Sequence, residues 1–432
     1  MTDPALARRP VQDWRVLLLI FAITSSVEGL GVSQIFAFLP AYLKTMGVPE
    51  ADRLQFVGLF GALIFVVGMP LVPLWGVWAD KYSRKAVIVR SALVEAVVFA
   101  CVALSREPWQ LAASMLLVGF QLGNTGVMLG AIRDSVPRHR VGTAMSLFGS
   151  ASPIGFAIGP ILGGIVIDRL GWGLPAVFTI SSALSIGTAL LVGFGSREVR
   201  PEVVPTGRTL NLAFGAVRSL LRDRPTMRIF GIFFVAFLAN QIARPYIPVL
   251  VGKVNGPIDE ASAVGLVVGV APLVGGLIAP IGGWIGDRIG YRAVLVASLF
   301  GAGIASFLMP LAPTVPLLAI VALGLAATYA VVAPMVFSLL GTEVAPERRS
   351  QTLNLVYLPL YLGGIVGPVL ASQVVALGVG APFVLATVVF VGGALAIALL
   401  SGRDSGAARS GPDERSSTAE FETEALVETQ IG

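Results

Sequence analysis

The apolar residues of this chain neither alternate nor form narrow stripes. They run in long blocks, separated by short clusters of charge, proline and glycine. A helix needs about 20 mainly apolar residues to cross the hydrocarbon core of a bilayer. Twelve blocks meet that demand within a few residues: 14–43, 54–78, 86–105, 109–132, 141–167, 174–195, 228–251, 262–286, 293–309, 316–340, 352–375 and 381–401. A helix apolar on all sides belongs in lipid, where it satisfies its own backbone groups. The pattern therefore predicts an all-α polytopic membrane protein with twelve transmembrane helices, spans 1 to 12. The first block is too long for the apolar core of a signal peptide, roughly 7–15 residues, and no convincing cleavage site follows it, so it is expected to be retained.

Composition removes the other classes. The 432 residues are 55% hydrophobic and only 13% charged, against about 25% charged in soluble domains. The 50 glycines show no three-residue period, which excludes collagen, and high apolar content with a net charge of +5 excludes disorder. Cys101 is the only cysteine and His139 the only histidine. No internal disulfide, thiolate zinc site or two-histidine metal helix can be built. His139 lies between Arg138 and Arg140, a setting that suits solvent or lipid headgroups. The one Gly-Lys pair, Gly252-Lys253, is followed by Val254 and makes no phosphate loop. No cofactor, metal or nucleic-acid partner is expected.

The loops orient the chain. When they are assigned alternately to two sides, one side collects 24 of the 30 basic residues and the other five, Lys44, Arg53, Arg106, Arg169 and Lys253. Arg244 alone stays inside a span. The positive-inside rule places the first side, with both termini, in the cytoplasm of a plasma-membrane protein.

Landmarks then recur at one spacing. Gly76-Val-Trp-Ala-Asp80-Lys81 after span 2 matches Gly283-Trp-Ile-Gly-Asp287-Arg288 after span 8, an offset of 207. Gly159-Pro160 matches Gly367-Pro368 and Pro40 matches Pro248, both at 208, and Pro137 matches Pro346 at 209. This spacing predicts two parallel six-helix halves. The expected plan is an N-terminal segment 1–13, a first bundle 14–195, a linker 196–227, a second bundle 228–401 and a tail 402–432. In the linker, Leu210, Phe214, Val217 and Leu221 fall at helical spacing among arginines. They suit either an amphipathic helix on the inner leaflet or an ordinary connector. The tail carries seven acidic and three basic residues and is expected to be disordered.

On these residues the chain resembles the major facilitator superfamily from Trp14 to about Ser401. Gly76-Val-Trp-Ala-Asp80-Lys81-Tyr-Ser-Arg84-Lys85 is similar to the family's loop signature between spans 2 and 3, with Ser83 where the family has glycine; the second copy keeps Gly290 and Arg292. Gly155-Phe-Ala-Ile-Gly159-Pro160-Ile-Leu-Gly163-Gly164 is similar to the span-5 signature of the family's drug:proton antiporters. The resemblance implies that Asp80 locks the halves on the cytoplasmic side, with Lys81, Arg84, Lys85 and Arg90 around it and Asp287 and Arg288 in the second copy. Such a latch would form in the outward-open state and break in the inward-open one. The span-5 glycines and Pro160 read either as a bend with close helix contact or as packing alone. Spans 1, 4, 7 and 10 are implied to line a central cavity. The basic residue that the family often carries within span 4 has no counterpart from 109 to 132.

Glu28, Glu95 and Arg244 lie inside spans, where a charge costs about 2.5–3.5 kcal/mol on insertion scales. Desolvation favours a neutral carboxyl, so Glu28 can hold a proton and release it to an entering substrate. Its other reading is a structural carboxylate bonded to Thr24, Ser25 or a neighbouring span. Glu95 reads equally as a second proton site or a buried structural group. Arg244, near Asn240 and Gln241, reads as a partner for an anionic substrate group, as a counter-ion to Glu28, or as a shallow residue reaching the interface. Gln121, Asn124 and Met128 of span 4, with Tyr329 and Met335 of span 10, suit a tolerant apolar site. The leading expectation is a secondary exporter: a monomer coupling proton entry to efflux of hydrophobic or cationic drug-like compounds. A metabolite symporter or facilitator of the same fold is the alternative. An enzyme lacks a nucleophile–histidine pair, and the duplicated loop counts against a receptor.

Overall fold

A computed structural model of the chain describes residues 12–201, 204–343, 355 and 358–409. Among the described residues there is helix and no strand. Eleven helical units are long and apolar enough to cross a membrane. Span 1 is Trp14–Thr45, span 2 Glu50–Lys81, span 3 Arg84–Leu104, span 6 Gly173–Gly195, span 8 Glu260–Ile289 and span 9 Tyr291–Leu308. Span 11 is described over Leu358–Val374, and span 12 is Ala381–Arg409. The chain is an integral membrane protein of two six-helix halves.

The spans that depart from continuous helix do so for local reasons. Span 4, expected as one run, is two helices, Pro108–Val118 and Asn124–Ser135. Between them Gly123 takes φ 101, open to glycine and strained for other residues. At Gly119 an added Cβ would meet Gly68 N at 2.6 Å, so span 4 presses its backbone directly on span 2. Span 7 is Arg224–Ala243 and Ile247–Asn255 joined by the 3-10 turn Arg244–Tyr246, where Pro245 lacks the N–H that would continue the helix. Span 10 breaks after Ala330, whose carbonyl loses its donor at Pro334, and resumes as Val332–Glu343. Span 5 runs unbroken through Pro153 and Pro160 as Val141–Gly164 and loosens only afterwards, in the π turn Ile165–Arg169.

One boundary differs from expectation. The last helix continues to Arg409, into the polar tail expected to be disordered from 402. Alanines, the strongest helix formers, occupy 407 and 408. The rest of the tail, residues 1–11, the Pro346 landmark and most of 352–357 lie outside the described residues. The linker forms the helix Thr209–Leu221. It packs on span 2 and leaves Leu210, Phe214 and Leu221 exposed.

The duplication is visible in packing. Gly155 and Gly159 bring span 5 against the Ser26 and Leu30 carbonyls of span 1. At an offset of 208, Gly363 and Gly367 bring span 11 against Leu238 and Gln241 of span 7. The halves meet through spans 5 and 8 and through spans 2 and 11. Their seam is tight at the end opposite the basic loops. There Gly164, Gly265 and Gly269 admit backbone contact between spans 5 and 8, and Pro368 and Tyr246 press on Gly58. Lys44 pairs with Glu260 at 3.4 Å and Arg169 with Asp259 at 3.6 Å, while Asp168 accepts from Ser262 N at 2.6 Å. A 310 Å³ cavity under this end is lined by the repeat partners Pro40 and Pro248, among others. Toward the basic end the described residues leave the seam open: among them, Cβ atoms built at Gly76, Gly142, Gly149 and Gly283 would meet nothing within 4 Å.

Candidate functional site

The first half gathers its buried polar groups around the break in span 4. Asn124 opens the second piece of that span and donates from Nδ2 to Glu28 Oε2 at 2.9 Å. Glu95, on span 3, lies close enough for the two carboxyls to feel each other's charge, with the Gln121 amide beside both. Glu95, Gln121 and Asn124 are 3%, 1% and 3% exposed, whereas Glu28 is half-buried. Among the described residues no cation pairs with either carboxyl. Glu95 Oε1, Asn124 Oδ1 and both ends of the Gln121 amide have no hydrogen-bond partner. Buried polar atoms are normally satisfied. A cluster of two acids and two amides left short of donors is therefore equipped to take up a proton, a water or a ligand group.

The break also exposes carbonyls, and span 3 covers them. Ser91 Oγ donates to the Gln121 carbonyl at 2.7 Å. Arg90 donates to Ser91 Oγ at 2.7 Å and lies 3.6 Å over the Trp75 ring. Arg90 is thus not part of the cytoplasmic cluster in which the sequence groups it. Its role is what sequence reasoning missed: Arg90 lies inside the block 86–105 yet reads with the loop charges, and it sits over an aromatic ring of span 2.

The second half presents one cation. Arg244, in the 3-10 turn of span 7, stacks over Phe36 at 4.4 Å and Phe156 at 5.1 Å. Tyr329 of span 10 is within electrostatic reach. Gln241 is fully buried with both amide atoms unpartnered, and Asn240 is half-buried beside it. Arg244 does not meet Glu28: Phe36 lies eight residues along span 1, about 12 Å at 1.5 Å per residue. Met128 and Met335, expected in the cavity, are both 0% exposed. Met128 packs in the apolar cluster of Leu17, Val87 and Phe148, and Met335 fills the space above Gly286. Both are core side chains of a single half.

At the basic end, Arg84 is the hub. Its side chain is 4% exposed and binds Asp80 at 2.8 Å and Asp134 at 2.8 Å, tying spans 2, 3 and 4 together. Burial by itself would raise the Asp134 pKa, but the hydrogen bonds from Arg84 and Arg133 outweigh it and hold that carboxyl below its usual value. Lys81 and Lys85 donate to the linker carbonyls of Gly207 and Ser196, and Glu198 receives the Ser83 hydroxyl and the Arg84 amide. In the second copy Asp287 accepts from Tyr291 and Arg288 stacks over Trp284 at 3.7 Å. Among the described residues, each cluster engages its own half or the linker.

Two six-helix halves joined at one end, with unpartnered polar groups buried within their spans, fit a membrane transporter. The Major Facilitator Superfamily model matches residues 21–257 and 258–429, and the chain belongs to that family. The chain is similar to the multidrug resistance protein MdtG of Yersinia enterocolitica, 27% identical over 89% of this chain and 92% of that one. It is similar to MdtG of Proteus mirabilis as well, 28% identical over 84% and 90%. A solved bacterial homolog of the human lysosomal transporter Spinster, inward-facing and unoccupied, shares the fold, with a TM-score of 0.71 at 18% identity over 91% of this chain and 98% of that one.

Proposed function

We propose that the chain is a proton-coupled multidrug exporter of the plasma membrane, working as a monomer by alternating access, with its basic end and both termini in the cytoplasm. The charge asymmetry of the loops supports that orientation. In it, the structure is the inward-open state, closed outside by the glycine-packed seam and its ion pairs. The latch residues lie within their own halves, as an inward-open state requires. The names of the similar proteins support drug efflux.

The observation that carries the coupling is the Glu28–Asn124 contact beside Glu95, with no cation on either acid. A neutral Glu28 is tolerated in a desolvated site and an ionised one is not, unless a donor or a cation arrives. A cationic or bulky substrate entering from the cytoplasm displaces the proton; return of the empty carrier requires a proton from outside. Glu95 shares the site and can hold the proton while Glu28 contacts substrate. Substrate added to wild-type protein in proteoliposomes should release protons, and Glu28→Gln should release none while melting at the wild-type temperature. Undiminished proton release by that variant would reject the assignment.

A further inference from the structure

Arg244 is a half-buried charge without an acid. Among the described residues it forms no ion pair, and the nearest embedded acid, Glu28, is turned to Asn124 about two helical turns of span 1 away. Its two aromatic contacts offset part of the cost of burial. They also orient the group. Rings beside a guanidinium accept none of its ordinary hydrogen bonds and leave its N–H donors free for a carboxylate, which they can receive in two parallel hydrogen bonds. The surroundings fit a polar head on an apolar body. Gln241, fully buried and with both amide atoms unpartnered, lies one turn before Arg244. Phe36, Phe156 and Tyr329 surround the guanidinium from spans 1, 5 and 10. Arg244 is itself half-buried.

We infer that Arg244 anchors a carboxylate or similar single anionic group of the transported compound, so that the substrates include anionic and zwitterionic amphiphiles as well as cations. This rests on the export reading for the word "transported", but not for binding. A cationic group would face Glu28 and an anionic one Arg244, in opposite halves of the same cleft.

The test is binding to the purified full chain in neutral detergent, with pyrenebutyrate and its methyl ester as probes. Wild type should bind the acid at least tenfold more tightly than the ester. Arg244→Gln should bring that ratio to within about twofold of unity. Arg244→Lys, which keeps the charge but not the fork, should retain an intermediate ratio and serves if the glutamine variant does not fold. Equal binding of acid and ester by wild type, or a ratio unchanged in both variants, would overturn the inference. A short-chain phosphatidylglycerol is titrated in parallel. If it binds with the same dependence on Arg244 and pyrenebutyrate does not, the residue is a lipid site and the inference fails. Proton release in proteoliposomes reads the export proposal separately, since acid preference in detergent needs no coupling.

Discussion

The two halves share one scaffold and carry opposite chemistry. At the offset of 208, Glu28 corresponds to Ala236, Gln121 to Tyr329 and Asn124 to Val332. In the other direction Arg244 corresponds to Phe36, the ring it stacks upon. Repeat-equivalent positions thus face each other near the axis that relates the halves. The packing devices are duplicated: Gly155 and Gly159 have Gly363 and Gly367 as counterparts, in the same relation to spans 1 and 7. The scaffold must be alike in both halves because both must rock against a shared seam. The charges need not be, and they have separated into an acidic first half and a cationic second half.

The sharpest way to break this comparison is to remove the acid from one half. Glu28→Gln is expected to reduce substrate-driven proton movement at least a hundredfold, to the level of empty vesicles. Placing a glutamate at the equivalent position, Ala236→Glu, should not restore it. Ala236 is 0% exposed among the packed side chains of the second half, with no amide partner at Val332. Restored proton release in the double variant, measured with a pH dye inside proteoliposomes, would show that the halves are interchangeable.

The duplicated glycines give the next effect. A Cβ at 155 would overlap the Ser26 carbonyl, whereas one at 363 would lie 3.1 Å from Leu238 N. Overpacking costs about 1–3 kcal/mol when neighbours can yield, and backbone yields least. Gly155→Val should therefore cost about 3 kcal/mol and Gly363→Val about 1, read as melting in detergent. Equal losses would mean that the two seams are equally tight. The latch copies should differ in the same direction. Arg84→Ala strands Asp80 and Asp134, which are 39% and 19% exposed, and should cost about 2 kcal/mol, less than a fully buried pair. Arg288→Ala, from an exposed ring stack, should cost under about 0.5 kcal/mol. Because Asp134 titrates below its ordinary value when folded, its contribution is whole above the usual carboxylate range and is lost as pH falls through the lowered value. Wild type should accordingly lose its margin over Arg84→Ala only in strong acid.

What was legible beforehand follows the same division. The twelve apolar blocks announced the spans because lipid permits little else, and Glu28, Glu95 and Arg244 stood out because charges inside such blocks are rare. The break in span 4 was hidden. Gly119 and Gly123 look like ordinary small residues until Gly68 and Trp75, about fifty positions earlier, lie against them. Arg90 was misplaced because its partner, Trp75, is on another span. Met128 and Met335 could not be told from cavity residues, since a helix apolar on every side has no periodicity to reveal which face meets the core. Contacts between spans decide these cases, and residue type is silent about them.

The weakest links between the halves are the ion pairs that join them. Lys44 and Glu260 meet at 3.4 Å with side chains 56% and 30% exposed. Exposed pairs contribute about 0–1 kcal/mol and weaken with salt. The seam beneath them is backbone on backbone at Gly164, Gly265 and Gly269, and it does not depend on charge. Lys44→Gln should therefore shift the balance toward the state closed at the basic end by less than about fivefold, most at low ionic strength. Gly265→Val, which forces the Pro160 carbonyl away, should shift it far more. Spin labels at 142 and 283, on opposite halves of the open end, report both distances directly. A larger shift from Lys44→Gln than from Gly265→Val would mean that charge, and not close packing, holds the two halves together.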